Sequence, residues 1–173
     1  NKPSIDFERR QAIASALDKL SDEKNLSIVF FSAQGNFDGN DYDEAERTIQ
    51  LMKNGDKCLN IPYLQPGEFI SLLKKLDIVV AMKLHSLILA YSLRIQVIGL
   101  SYHQKIESFF EATKLQENCF RADMFSTTEL VNKIQSLLDK PHPLTEHSAL
   151  LEAADNNFTI LTRYIEKIGC VKE

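Results

Sequence analysis

Apolar residues along this chain follow two rhythms that take turns. Short unbroken runs, LSIVFF (26–31), KCLNIP (57–62), DIVVA (77–81), IQVIGL (95–100) and the weaker NCFRA (118–122), predict strands buried on both faces. Between them, apolar positions spaced three and four apart predict helices over 5–20, 43–55, 66–76, 84–93, 104–115 and 126–140. In the first of these, Phe7, Ile13, Leu17 and Leu20 fall near one face. Gly55 is placed to close the second, Pro66 to open the third, and Ser126 and Glu129 have the spacing of a capping box for the last. After the break at PHP (141–143), a closing helix over 145–167 would pack through Leu150, Ala154, Phe158, Leu161 and Ile165.

Strict strand–helix alternation with short links predicts a parallel sheet covered by helices on both faces, an α/β Rossmann-like domain. One such domain over 1–173 is the expectation for this length, with no repeat or interdomain linker. The helix over 84–93 is apolar nearly all round and is expected to be among the most buried.

Composition narrows the classes. A hydrophobic share of 44%, a charged share of 25% and a net charge of −4 describe a globular domain with no general nucleic-acid surface. The three cysteines, Cys58, Cys119 and Cys170, lie far apart without a CxxC, which points to free thiols in a reducing compartment, with Cys58 in core packing. No apolar run is long enough to span a bilayer, so a cytoplasmic protein is expected. Asn1 in place of a start methionine, and an opening directly on a helical pattern, point to a piece of something longer.

The least ordinary stretch is DIVVAMKLHSLILAYSLRIQVIGLSYHQKI (77–106). Two consecutive strand-to-helix turns each carry bases, Lys83 and His85 in one, His103 and Lys105 in the other. Ligands of open parallel sheets bind at the carboxyl ends of the strands, where helix N-termini attract anions. Lys83 and His85 are therefore expected to face Tyr102, His103 and Lys105 around a phosphate or carboxylate. His85, at the mouth of an apolar helix, is the stronger candidate, and a buried histidine bonded to a carbonyl is its bland alternative. His103 reads as a surface residue. Elsewhere, DYD (41–43) matches a loose DxD metal pattern, but Asp41 and Asp43 read better as caps of the following helix. His142 and His147 span a proline break without nearby cysteines, so no zinc site is expected.

The same stretch resembles the C-terminal half of the polysaccharide pyruvyl transferases. That family reads M-R-L-H-[SA]-L-I-[LF]-A and then P-V-[IV]-G-[IL]-S-Y-D-x-K. Here the matches are Met82, Leu84, His85, Leu87, Ile88 and Ala90, then Val97, Gly99, Ser101, Tyr102 and Lys105. Two positions depart: Lys83 stands for the usual Arg, and His103 for a common Asp. A lysine is a point charge where arginine binds an anion through two parallel bonds.

The resemblance implies the second half of a glycosyltransferase-B-like fold, with a further N-terminal domain and a central strand ahead of the first helix. A fragment lacking them is expected to be inactive alone and to miss one strand of its sheet. It implies transfer of pyruvate from phosphoenolpyruvate to a sugar as a ketal, with His85 as acid/base, because an imidazole titrates near neutrality. Lys83 and Lys105 would hold the donor, and Ser101 and Tyr102 would line the pocket. No metal or other cofactor is called for. The acceptor would be a cell-surface glycan or its lipid-linked precursor. Peripheral association with the inner face of the membrane and a homo-oligomeric state both stay open. The competing readings are a nucleotide-sugar glycosyltransferase or sugar-nucleotide epimerase of the same architecture, with Glu107, Glu111 or Asp123 on the ribose, and a diverged non-catalytic domain.

Overall fold

A computed structural model describes residues 2–24, 26–33 and 41–140, and the helix expected over 145–167 lies outside them. The elements run α1 (Lys2–Glu23), β1 (Val29–Phe31), α2 (Asp41–Ile49), β2 (Leu59–Ile61), α3 (Pro66–Leu73), β3 (Ile78–Ala81), α4 (Leu84–Ser92), β4 (Gln96–Ser101), α5 (Gln104–Ala112), β5 (Cys119–Arg121) and α6 (Thr127–Leu138). All strand pairing is parallel, and helices cover both faces, so the Rossmann-like α/β class read from the sequence holds.

The core has two layers because neighbouring strand residues point to opposite faces. In β4, Val97 faces Phe69 and Leu73 of α3, Leu87 and Tyr91 of α4, and Ile106 and Phe110 of α5. Its neighbour Ile98 faces Ala16 and Leu20 of α1 and Leu130, Val131 and Ile134 of α6. β4 is buried along nearly its whole length because it has a strand on either side. Gly99 is dictated by packing: a Cβ there would lie 2.2 Å from the ring of Phe110, which is fully buried.

The strands form two separate hydrogen-bonded sheets, β1–β2 and β3–β4–β5. β1 and β3 are thus both edges, and Val80 of β3 is 36% exposed despite its mid-strand position. α2 lies beside α1, whose buried Asp18 accepts hydrogen bonds from Lys53 N at 2.8 Å and Asn54 N at 3.0 Å beyond the end of α2. α4 and α5 pack on the opposite face. The connections leaving β1 and β3 therefore diverge to opposite sides, and the crevice between their carboxyl ends is a topological switch point.

Several boundaries differ from the sequence reading. β1 is three residues long, not six, because its partner β2 offers only three, in the register Val29 to Leu59 through Phe31 to Ile61. α2 ends at Ile49, and Gly55 opens a 3₁₀ turn (Gly55–Lys57) instead of closing the helix. A Cβ on Gly55 would meet the Ile49 carbonyl at 2.6 Å, so the chain doubles back onto the helix end there. Cys58 precedes β2 instead of sitting within it, half-buried with its Sγ 3.9 Å from Met52 Sδ. Phe7 is 46% exposed, and the residues that α1 buries are mostly small, Ala14 and Ala16 beside Leu20. α4 is not buried all round: Ile88 is 42% exposed. It ends with Arg94 at φ 62°, whose amide and that of Ile95 reach back to Tyr91 O and Ala90 O. The capping box of α6 forms as read, with Glu129 N donating to Ser126 Oγ at 3.2 Å and Ser126 N to Glu129 Oε2 at 2.9 Å.

Candidate active site

The switch-point crevice collects four groups from three segments. β3 hands over to α4 through Met82 and Lys83, with Lys83 as the N-cap residue in an extended conformation. This places Lys83 and His85 at the carboxyl edge. Lys83 Nζ lies 3.0 Å from Asp41 Oδ2 in a half-buried ion pair. The same carboxylate oxygen accepts from Ala33 N at 3.2 Å. Asp41, the first residue of α2, is therefore bound to the end of β1 and to Lys83.

His85 Nε2 lies 3.0 Å from Ala33 O. A carbonyl can only accept, so Nε2 carries the hydrogen and donates it, which leaves Nδ1 as the acceptor and base of the neutral ring. The histidine is bonded to a carbonyl, as in the bland alternative, yet it is exposed and not buried. Beside this contact two serine hydroxyls are enclosed without a hydrogen-bond partner among the described residues, Ser32 Oγ and Ser86 Oγ, in residues 3% and 1% exposed. Buried hydroxyls are normally paired, so these two, each next in sequence to a partner of the His85–Ala33 bond, are unusual. They were not singled out in the sequence. Their only signal there was position, one residue past a strand and one past His85.

The second turn builds a different place. His103 is the N-cap of α5, and its Nδ1 accepts from Lys105 N at 3.2 Å. The family's Asp would cap in the same way, so this departure preserves a structural function. Ser101, only 3% exposed, sends its hydroxyl toward Glu107 Oε1 at 3.0 Å and His103 O at 3.2 Å. Ser101 and Tyr102, together with Arg9 of α1, Arg121 at the end of β5 and Asp123 beyond it, line a cavity of about 270 Å³. Lys83, His85 and Lys105 are not among its walls. The two turns thus do not converge on one pocket: Lys83 and His85 engage the β1 side, and Ser101 and Tyr102 the β5 side. Arg9 and Arg121 went unnoticed in the sequence. Applying the carboxyl-edge rule to β5 as well as to β3 and β4 would have found Arg121.

Electrostatics inside the cavity are balanced. Arg121 grips Asp123 through two bonds, 2.9 and 3.1 Å, which holds the Asp123 carboxyl below its ordinary range. Burial, with the Glu107 carboxylate adding to it, pushes the neighbouring Cys119 thiol up to about 11. Among the described residues no three His, Cys, Asp or Glu side chains gather into a group that could hold a metal. No described helix is long and apolar enough to cross a membrane.

Comparison with known proteins gives one family. Residues 1–104, more than half of the chain, match polysaccharide pyruvyl transferase. No curated protein and no solved structure gives a significant match. The matched region contains the switch-point crevice whole, from α1 through Lys83, His85 and the strand β4 to the start of α5. The chain belongs to the polysaccharide pyruvyl transferase family.

Proposed function

We propose that this chain contributes the donor site of an enzyme that transfers pyruvate from phosphoenolpyruvate to a glycan as a ketal. The observation that carries the reading is the bond from His85 Nε2 to Ala33 O, which fixes the ring and leaves Nδ1 to exchange a proton at the switch point. In this reaction a proton adds to the methylene carbon of the donor, and one sugar hydroxyl oxygen bonds to the central carbon. A second hydroxyl of the sugar then bonds to the same carbon as the carbon–oxygen bond to phosphate breaks. Inorganic phosphate leaves, and the hydroxyl protons pass to the methylene carbon and to base. His85 supplies or removes these protons. Lys83 at the start of α4, with the helix's own N–H groups, offers positive charge to the donor's carboxylate and phosphate.

The test is calorimetric titration of the intact protein with phosphoenolpyruvate, in competition with UDP and UDP-sugars. Saturable phosphoenolpyruvate binding that weakens at least about tenfold in His85→Ala and Lys83→Ala is expected. UDP binding at the same place would assign the protein to nucleotide-sugar chemistry instead. Binding of neither would make it a diverged, non-catalytic member.

A further inference from the structure

The cavity at the carboxyl ends of β4 and β5 is not used by the donor chemistry above, and its chemistry differs from that of the switch point. Its two guanidinium groups are already neutralised: Arg9 lies 2.7 Å from Asp6, and Arg121 is forked onto Asp123. An anion entering here would have to displace a carboxylate, and it would also meet Glu107, which is held by the Ser101 hydroxyl and by no arginine among the described residues. What the walls offer is an alternation of acceptors and donors. Glu107 and Asp123 accept, while Arg9, Arg121 and Gln104 donate. A hydroxyl group both donates and accepts, so a ring bearing several of them can satisfy both kinds of wall at once.

Two further features fit such a ring. Glu107 does not swing freely, because the buried Ser101 hydroxyl holds its Oε1 at 3.0 Å and leaves its other oxygen to a ligand. Tyr102 is 66% exposed and borders the cavity, so its ring offers an aromatic surface against which the C–H groups of a sugar can pack. The volume of about 270 Å³ sits near the small end of ligand sites, the scale of a monosaccharide unit.

We propose that this cavity is a subsite for a neutral, polyhydroxylated sugar ring. Calling that sugar part of the acceptor rests on the pyruvyl-transfer reading; the subsite itself does not. In a full transfer complex, the donor would occupy the β1–β3 crevice and a sugar of the glycan the β4–β5 cavity, one strand away.

Titrating the isotope-labelled intact protein with glucose, galactose, mannose and their N-acetylamino forms tests this by amide chemical shifts, with inorganic phosphate as the anionic control. At least one sugar is expected to shift the amides of Gln104 and Ala122 at millimolar concentration. That binding should weaken at least about tenfold in Tyr102→Ala and Glu107→Gln. Tyr102 is exposed, so its variant should remain folded, which the unshifted spectrum of the core checks. Phosphate shifting these amides where no sugar does would overturn the subsite and make it an anion site; no response to any sugar would also overturn it. Sugar binding here with no binding of phosphoenolpyruvate anywhere would uphold the subsite and sink the pyruvyl-transfer reading. Phosphoenolpyruvate binding without sugar binding would do the reverse.

Discussion

The imidazole of His85 is tied to the carbonyl of Ala33, 52 residues earlier in the chain, by a bond of 3.0 Å. One contact thereby joins the start of α4 to the end of β1, across two strands that share no ladder. The first prediction follows from its direction. The neutral ring of His85 should be the tautomer protonated at Nε2, and so should that of His103, whose Nδ1 accepts from Lys105 N. Long-range nitrogen–proton correlation spectra read this directly. A His85 protonated at Nδ1 would mean that the Ala33 contact is not made in solution.

Asp41 competes with any anion for Lys83. Removing its charge should strengthen phosphoenolpyruvate binding, by roughly three- to tenfold for a half-buried pair at 3.0 Å. The Asn in Asp41→Asn can still accept from Ala33 N, so the loop should hold. Weaker binding in this variant would show that Asp41 positions Lys83 for the ligand instead of screening it.

Gly99 is a packing requirement. Gly99→Ala should cost about 2–3 kcal/mol in urea unfolding, because its methyl group would overlap the ring of Phe110, which has no room to retreat. Adding Phe110→Leu should recover about 1 kcal/mol relative to the sum of the two single losses. Additive losses would place the cost in the β4 backbone and not in the ring.

Cys119 gives a pH dependence with a definite sign. Its thiol is raised from an ordinary value of 9.0 to about 11 in the fold, by burial first and then by Glu107. The folded state therefore holds the proton more tightly than the unfolded chain. Its contribution to stability is whole below pH 9.0 and is lost as pH rises toward about 11. The difference in urea midpoint between the wild type and Cys119→Ala should shrink over that window. A difference that grows with pH would contradict the burial seen here.

Periodicity carried the fold well where apolar runs were bounded by sharp polar turns. From α3 to α5 the sequence ranges and the structure agree within a residue at every start, because Pro66, Asp77, Lys83 and His103 punctuate the chain. It failed where burial depends on partners. Leu51 and Met52 extend the apolar pattern of α2 past its end, yet they belong to a turn held by Asp18 of α1. The site was half legible. A histidine at the mouth of an apolar helix stands out in one dimension. Its partner is a backbone carbonyl, which every residue has, so no residue type announces it. Lys83 and Ser101 sit at the ends of consecutive strands, β3 and β4, and only the divergence of side chains toward β1 and toward β5 separates their pockets.

Turnover by the intact protein, followed as phosphate released from phosphoenolpyruvate in the presence of glycan acceptor, tests most directly whether His85 handles the proton. The expected result is a fall in kcat of roughly 10²–10⁴-fold in His85→Ala, with an unfolding midpoint close to that of the wild type. An unchanged rate in a folded His85→Ala protein would contradict the role assigned to this ring.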